Sequence, residues 1–415
     1  ARMLYEGSYS GDLKINASSK LPLVLHISVQ KGAYTAALDS PAQNSFGIPV
    51  SDVSIDENSL SFKSPMLSAS FKGSKEADEN SSLVYAGTFV QGLAMPLTLT
   101  KVNAENAAVQ FQKPAFGEHG GAVAIISNGQ VQMRSLGSHE AHTQYEIGSV
   151  TKTFTAYLLA KQIQQGNISL SSSLSEFFSD APNVDLQSLA THTSGLPRLP
   201  PSLSTSADVN DPYANTTRTS LSEDLKNIAV GKPEYEYSNF AYGALAEALA
   251  LNANSTYAEQ VEAQIFAPLE MNNSYVAVKS SDKQAHLAKG FNMMGEALAP
   301  WYFGAISGAG AVVATLPDTA KYLQHMMTLA RQKSDLTALL FTVVKPPHAL
   351  GWVVSEDSAG KTFIWHNGMT AGFSSFVGFY ADGSRGVALL NSQAISIDEL
   401  GVKILSNADF DIQSI

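Results

Sequence analysis

Ser149 and Lys152 stand three residues apart in EIGSVTKTFTAYLLA (146–160), with Gly148 directly before the serine. In a helix, residues i and i+3 share a face, so this amine reaches the hydroxyl from one turn below. Helix N-termini also carry unpaired N–H groups and a positive dipole end, which favour a developing negative charge beside the serine. Burial would lower the lysine pKa and let the amine accept a proton. The chemistry on offer is nucleophilic attack by an activated hydroxyl. A serine also opens helices simply as a cap, and the pair alone does not choose between the two.

Three further Ser-x-x-Lys stretches lack that setting: Ser28/Lys31, Ser280/Lys283 and Ser358/Lys361. Ser28 lies in an alternating strand, where i and i+3 point to opposite faces. The other two lie in polar, turn-like sequence with no helix behind them. After Ser149, by contrast, Val150, Phe154, Tyr157 and Leu158 form a stripe of helical spacing that stops at Gly166.

Two more stretches carry groups of chemical interest. In EYEYSNFAYGALAEALA (234–250), Tyr237 and Asn239 precede an Ala/Leu-rich helix. A phenol facing an ammonium would have a lowered pKa and serve as a base, and an asparagine can orient an amine or a substrate amide. The same residues also read as a helix cap and a buried aromatic. In IWHNGMTAGF (364–373), Gly368 follows His366 and Asn367 on a strand and permits close approach of a ligand to the backbone, or marks a bulge.

The elements that must hold these residues follow from hydrophobic period. Residues 1–103 alternate in short runs such as LPLVLHISV, LSASF and LVYAGTF, with Gly, Ser, Asn and Asp between them, which predicts an all-β antiparallel meander or small barrel. Residues 104–117 read as a linker, with ENAAVQFQKP too brief and broken by proline for a full first helix. Asn128-Gly129 predicts a hairpin turn, and Asp318 a helix N-cap. Strands, a helical insertion, strands again and a closing helix over 118–415 imply an α+β domain whose sheet joins both ends of the segment.

Taken together and in order, Ser149-x-x-Lys152, Tyr237-x-Asn239 and His366-x-Gly368 resemble the active-site set of the serine β-lactamase and penicillin-binding protein superfamily. The tyrosine opening the second motif is similar to class C β-lactamases and the esterases and D-aminopeptidases akin to them. ATHTSGLP (190–197), IFAPLEM (265–271) and GAGAVVATLPDTAKYL (308–323) fit the same likeness, which covers about residues 118–415. The first hundred residues more loosely resemble the lipocalin-like domain of some members. The resemblance implies a β-lactamase/transpeptidase-like fold with an antiparallel sheet, flanking helices and a helical subdomain.

It also implies roles. Ser149 would be acylated, Lys152 and Tyr237 would share proton transfer, and Asn239 would orient substrate and lysine. His366 and Gly368 would line the cleft, and the N–H groups of Ser149 and Met369 would form the oxyanion hole. His366 stands where β-lactamases carry lysine, and Asn367 where they carry threonine. A histidine is largely neutral near neutrality and gives no fixed charge for a β-lactam carboxylate. The expected substrates are therefore small esters or D-residue peptides, with weak β-lactam hydrolysis at most. The alternative is a sensor that β-lactams or wall peptides acylate without efficient turnover. A periplasmic or secreted location follows from the resemblance alone, and assembly into oligomers is left open.

Composition excludes other classes. The 37 acidic residues against 26 basic ones argue against nucleic acid, which needs clustered Lys and Arg. Cysteine is absent, so disulfides and thiolate metal sites are ruled out. SHEAH (138–142) lacks the spacing that puts two ligands on one helical face, so no metal and no cofactor is expected. No apolar run reaches the roughly 20 residues of a spanning helix. No G-x-S-x-G, phosphate-binding loop or dinucleotide fingerprint occurs.

Overall fold

The computed structural model describes residues 5–43, 45–77, 83–102, 114–203, 211–292 and 295–415. The stretch read as a linker with a broken first helix falls mostly outside them. The chain divides into two compact units, Ala1–Ala115 with Asn292–Ala297, and Phe116–Phe291 with Leu298–Ile415.

In the first unit, the alternating runs become β1 (Gly7–Lys14), β2 (Lys20–Gln30), β3 (Ala33–Ser40), β4 (Ser45–Ile55), β5 (Ser59–Ser64), β6 (Ala69–Glu76), β7 (Val84–Gln91) and β8 (Leu93–Val102). Each pairs antiparallel with the next, and β1 pairs back onto β8 through Ser8↔Val102 and Ser10↔Thr100, closing a barrel. Tyr9, Leu25 and Leu38 lie in register as one fully buried layer. Phe62, Phe71 and Phe89 form another, with the first two rings stacked 5.4 Å apart. Rings and leucines fill the interior, as expected when only eight strands close.

The second unit is built on an antiparallel sheet that the first and last parts of the segment share. Its strands are β9 (Gly121–Ser127), β10 (Gln130–Leu136), β14 (Val353–Glu356), β15 (Thr362–Met369), β16 (Ser374–Tyr380) and β17 (Arg385–Asn391), in the order β10-β9-β17-β16-β15-β14. A smaller sheet joins β11 (Gln144–Glu146), β13 (Val312–Thr315) and β12 (Tyr275–Val276). The helices are α1 (Thr151–Gln165), α2 (Leu186–Ala190), α3 (Arg218–Asn227), α4 (Asn239–Asn252), α5 (Tyr257–Val261), α6 (Leu316–Gln332), α7 (Asp335–Phe341) and α8 (Asp398–Ser406).

Every residue of β16 and β17 is buried because helices cover both faces of the sheet. Gly386 lies against Leu323 and Met327 of α6, whereas Phe376, which points the other way, lies against Gly401 of α8. This is the antiparallel sheet with flanking helices that the sequence resemblance implies. The hairpin between β9 and β10 turns at Asn128 (φ 52°) and Gly129 (φ 79°). One cap differs from expectation. Thr315, not Asp318, caps α6, its hydroxyl accepting from the Asp318 N–H at 3.2 Å. The Asp318 carboxylate instead accepts from Asn273 N–H and the Ser274 hydroxyl.

Candidate active site

Ser149 sits on a single 3₁₀ turn, Gly148–Val150, that runs straight into α1. The helix is more deeply enclosed than an apolar stripe would require: Thr151 through Ala160 are all buried, and Gly166 ends it at φ 93°. Lys152 is fully buried with them. Its Nζ lies 3.0 Å from Ser149 Oγ, 2.8 Å from Asn239 Oδ1 and 2.7 Å from the Ala309 carbonyl.

The setting disfavours the charged form of this amine. Burial, with a smaller contribution from Arg198, holds the Lys152 pKa well below the usual lysine range. A neutral amine has two N–H donors and one lone pair. In that form Asn239 Oδ1 and the Ala309 carbonyl can accept both N–H bonds, which leaves the lone pair to the Ser149 hydroxyl.

Tyr237 and Asn239 arrive on the start of α4. Ser238 is its N-cap, accepting from Ala241 N–H at 2.9 Å. The loop before α4 is pinned from 192–198: Ser238 N–H donates to His192 Nδ1, Ser238 Oγ–H to the Pro197 carbonyl, and Asn239 N–H to the Arg198 carbonyl. His192 stacks on Tyr237 at 4.4 Å, with burial keeping the imidazole neutral. Lys152 Nζ lies 4.7 Å from the centre of the Tyr237 ring and Arg198 Cζ 5.5 Å from it.

One expectation is reversed here. Lys152 faces the Tyr237 ring rather than fixing a phenolate, and burial pushes the phenol pKa up, an effect that its hydrogen bond with Ser149 only partly offsets. Tyr237 is a phenol near neutrality.

His366 and Gly368 lie on β15 in register with Val377 and Ser375, so they share a face of the sheet. A side chain on Gly368 would come within 2.0 Å of the Ile147 carbonyl and 2.9 Å of Ser149 N. The glycine thus admits the segment that carries Ser149, where the sequence suggested a ligand or a bulge. Gly148 answers it: at φ 54°, its missing side chain would stand 2.7 Å from Met369 N. The two glycines bring Ser149 N and Met369 N onto facing segments. The Met369 side chain is exposed.

The β-lactamase family model matches residues 110–410. The chain belongs to the β-lactamase family. It is 27% identical over 303 residues to the D-alanyl-D-alanine-carboxypeptidase/endopeptidase AmpH of Escherichia coli (strain K12), covering 64% of this chain and 76% of that one. It is 28% identical over 262 residues to a β-lactamase of Providencia stuartii, covering 57% and 64%. Among solved structures, the β-lactamase/D-alanine carboxypeptidase of Yersinia pestis complexed with citrate superposes with a TM-score of 0.60 at 24% identity, covering 70% of this chain and 92% of that one. The octameric penicillin-binding protein homologue of Pyrococcus abyssi does so at 0.60 and 22%, covering 69% and 73%. At those identities the structural likeness speaks for the fold.

Relative to other serine enzymes of the β-lactamase family, the third motif is electrically different. Burial is the main cause that pushes His366 down to about 3, so it is neutral near neutrality. Its ring N–H donates to the Asn367 carbonyl at 2.6 Å.

Sequence reading missed two charged neighbours. Arg198 is carried by a loop with no period of its own, and nothing local marks it. Glu146 is the more consequential. It is buried three residues before Ser149, accepting from Trp301 N–H at 3.1 Å and facing Thr370, Asp211, Tyr275 and Tyr302. Its one sequence signal is a carboxylate between Tyr145 and Ile147. Burial raises its pKa from 4.5 to about 7, against the Trp301 N–H hydrogen bond that lowers it. Because the folded value is raised, the stability it contributes is complete below the unfolded value and is lost as pH rises through about 7. Thermal unfolding of Glu146→Gln should therefore match wild type near pH 4 and exceed it near pH 8 by a few degrees, on the order of 1–2 kcal/mol. Parallel melting curves across that range would remove the carboxyl from the account.

Proposed function

We propose that this protein is a serine hydrolase working through an acyl-enzyme on Ser149, with small esters or D-residue peptides as its substrates. The observation that carries the reading is the single amine, Lys152 Nζ, held at hydrogen-bond distance from both the Ser149 hydroxyl and Asn239 Oδ1 in a buried setting.

The chemistry follows from that contact. Lys152 takes the Ser149 proton as Oγ attacks the carbonyl carbon. The N–H groups of Ser149 and Met369 receive the oxyanion. As the tetrahedral species collapses, the proton passes from Lys152 through the Tyr237 phenol to the departing oxygen or nitrogen. A water then gives its proton to Lys152 and attacks the ester on Ser149, and as that species collapses Lys152 hands the proton to Ser149 Oγ and the acid departs. Asn239 holds both the amine and an amide of the substrate.

Substrate choice draws on His366 and on the relatives. A neutral histidine leaves the third motif without a cation for a β-lactam carboxylate, which favours esters and amides. The carboxypeptidase named among the relatives supports D-alanyl peptides within that class. Such peptides belong to the cell wall, so a periplasmic or secreted location goes with the reading. Whether it assembles as its octameric structural neighbour does is a question for sedimentation.

Three substrates test the reading: 4-nitrophenyl acetate, a D-alanyl p-nitroanilide and nitrocefin. Multiple turnovers on the ester or the anilide, with nitrocefin slower, are expected. One equivalent of product with a persistent adduct on Ser149 would establish the sensor instead.

A further inference from the structure

We propose that Arg198 is a specificity-determining residue whose guanidinium pairs with a carboxylate of the substrate. This deepens the acyl-transfer reading and rests on it for calling the ligand a substrate.

An arginine stays charged near neutrality and carries five N–H donors that folded proteins ordinarily use. The other four described arginines follow that rule. Arg218 pairs with Glu247, and Arg134, Arg331 and Arg385 donate to main-chain carbonyls. Arg198 is the exception: among the described residues its guanidinium has no hydrogen bond and no ion pair. Scarcity of acids is not the reason, since the chain has 37 acidic residues against 26 basic ones.

Its surroundings are those of the reaction centre. The Arg198 carbonyl takes the N–H groups of Asn239 and Phe240 at 3.0 and 3.2 Å, which fixes the residue at the start of α4. Its side chain is partly exposed and reaches the Tyr237 ring, with Cζ 5.5 Å from the centre. Tyr237 hydrogen-bonds Ser149, so the guanidinium lies one phenol away from the nucleophile. Burial raises the phenols of Tyr213, Tyr235 and Tyr237, and the Arg198 charge pulls each of them back.

Contact with a ring face uses none of the five donors. A carboxylate uses two of them at once, because the planar fork matches its two oxygens, and such a pair is stronger where water is partly excluded. The neutral His366 leaves the third motif without that role. Arg198 stands on the loop that pins α4 and not on β15, so it offers a carboxylate a different place from the third motif.

Two arms test this on the full chain. In the first, Ser149→Ala is titrated calorimetrically, without turnover, with two pairs of amides: adipamate against valeramide, and 3-acetamidobenzoate against acetanilide. The acid of one pair should bind about 10-fold more tightly than its neutral partner. Preference in the adipamate pair puts the carboxylate on the acyl part, and preference in the benzoate pair puts it on the departing part. In the second arm, mono-4-nitrophenyl adipate is compared with 4-nitrophenyl valerate, and 3-acetoxybenzoate with phenyl acetate. The same preference should appear in kcat/KM. Arg198→Gln should bring the ratio to about one in both arms, and Arg198→Lys, which keeps a point charge, should hold part of it. Taking the ratio within each variant cancels any change in basal rate. Ratios near one for both pairs while Arg198 is present, or a preference that a folded Arg198→Gln keeps, overturn the proposal. A glutamine variant that moves the acid limb of the ester profile and leaves the ratio alone does so too, since Arg198 would then act on Lys152 only. The hydrolase reading fails separately, by ester turnover that Ser149→Ala leaves intact.

Discussion

Ser149→Ala should lower kcat/KM for 4-nitrophenyl acetate by about 10⁵-fold and abolish the acetyl adduct seen by mass spectrometry of the intact chain. The size follows from what the substitution leaves behind. The facing N–H groups at Gly148–Ser149 and Gly368–Met369 remain, and a site that still polarises a carbonyl retains modest catalysis over water. What disappears is the one hydroxyl that a buried amine contacts at 3.0 Å. Folding should survive, because Lys152 keeps Asn239 and the Ala309 carbonyl, and the cost of one lost hydrogen bond is about 1 kcal/mol. A variant that melts normally and still turns the ester over at a near-native rate would move the chemistry elsewhere in the molecule.

How much of this site is legible without coordinates depends on how far apart its parts lie along the chain. Ser149 and Lys152 are readable as a pair because one helix holds both, and helical geometry is fixed by spacing. Tyr237, Asn239 and His366 are three separate segments whose meeting no period reveals; a family resemblance supplied it. Arg198 and Glu146 escape even that, since each acts on the site through a loop or a buried contact formed by folding. The Tyr237 pKa shows the same limit in another form. A neighbouring amine suggests a lowered value, but burial decides the sign, and burial is a property of everything packed around the ring.

The fold divides in the same way. Alternation reveals the strands of the barrel, yet closure depends on Ser8–Ser10 of β1 meeting Thr100–Val102 of β8, the two ends of the run. The helical covering of both sheet faces explains why SSFVGFY and RGVALLN read as near-continuous apolar stretches instead of alternating ones. The cap of α6 was misplaced by three residues because Asp318 is a good capping type that folding uses for another purpose, holding Asn273 and Ser274.

Lys152 and Tyr237 can each be asked which of them is the resting base. Lys152→Ala should cost about 10⁴-fold in acylation, measured as the pre-steady-state burst of 4-nitrophenol. Lys152→Arg should do no better, although it restores a positive charge, because a guanidinium has no lone pair to take the Ser149 proton. A substantial rescue by arginine would mean that Lys152 acts through its charge and not as an acceptor. Tyr237→Phe separates the roles by pH. With the lysine pKa lowered and the tyrosine pKa raised, the fall in kcat/KM on the acid side belongs to protonation of Lys152. Removing the phenol should then reduce the rate by about 10²- to 10³-fold, through loss of the relay and donor, while the acid limb stays where it was. If a tyrosinate were the base, the phenylalanine variant would lose that limb altogether, and the amine would be left as its electrostatic partner.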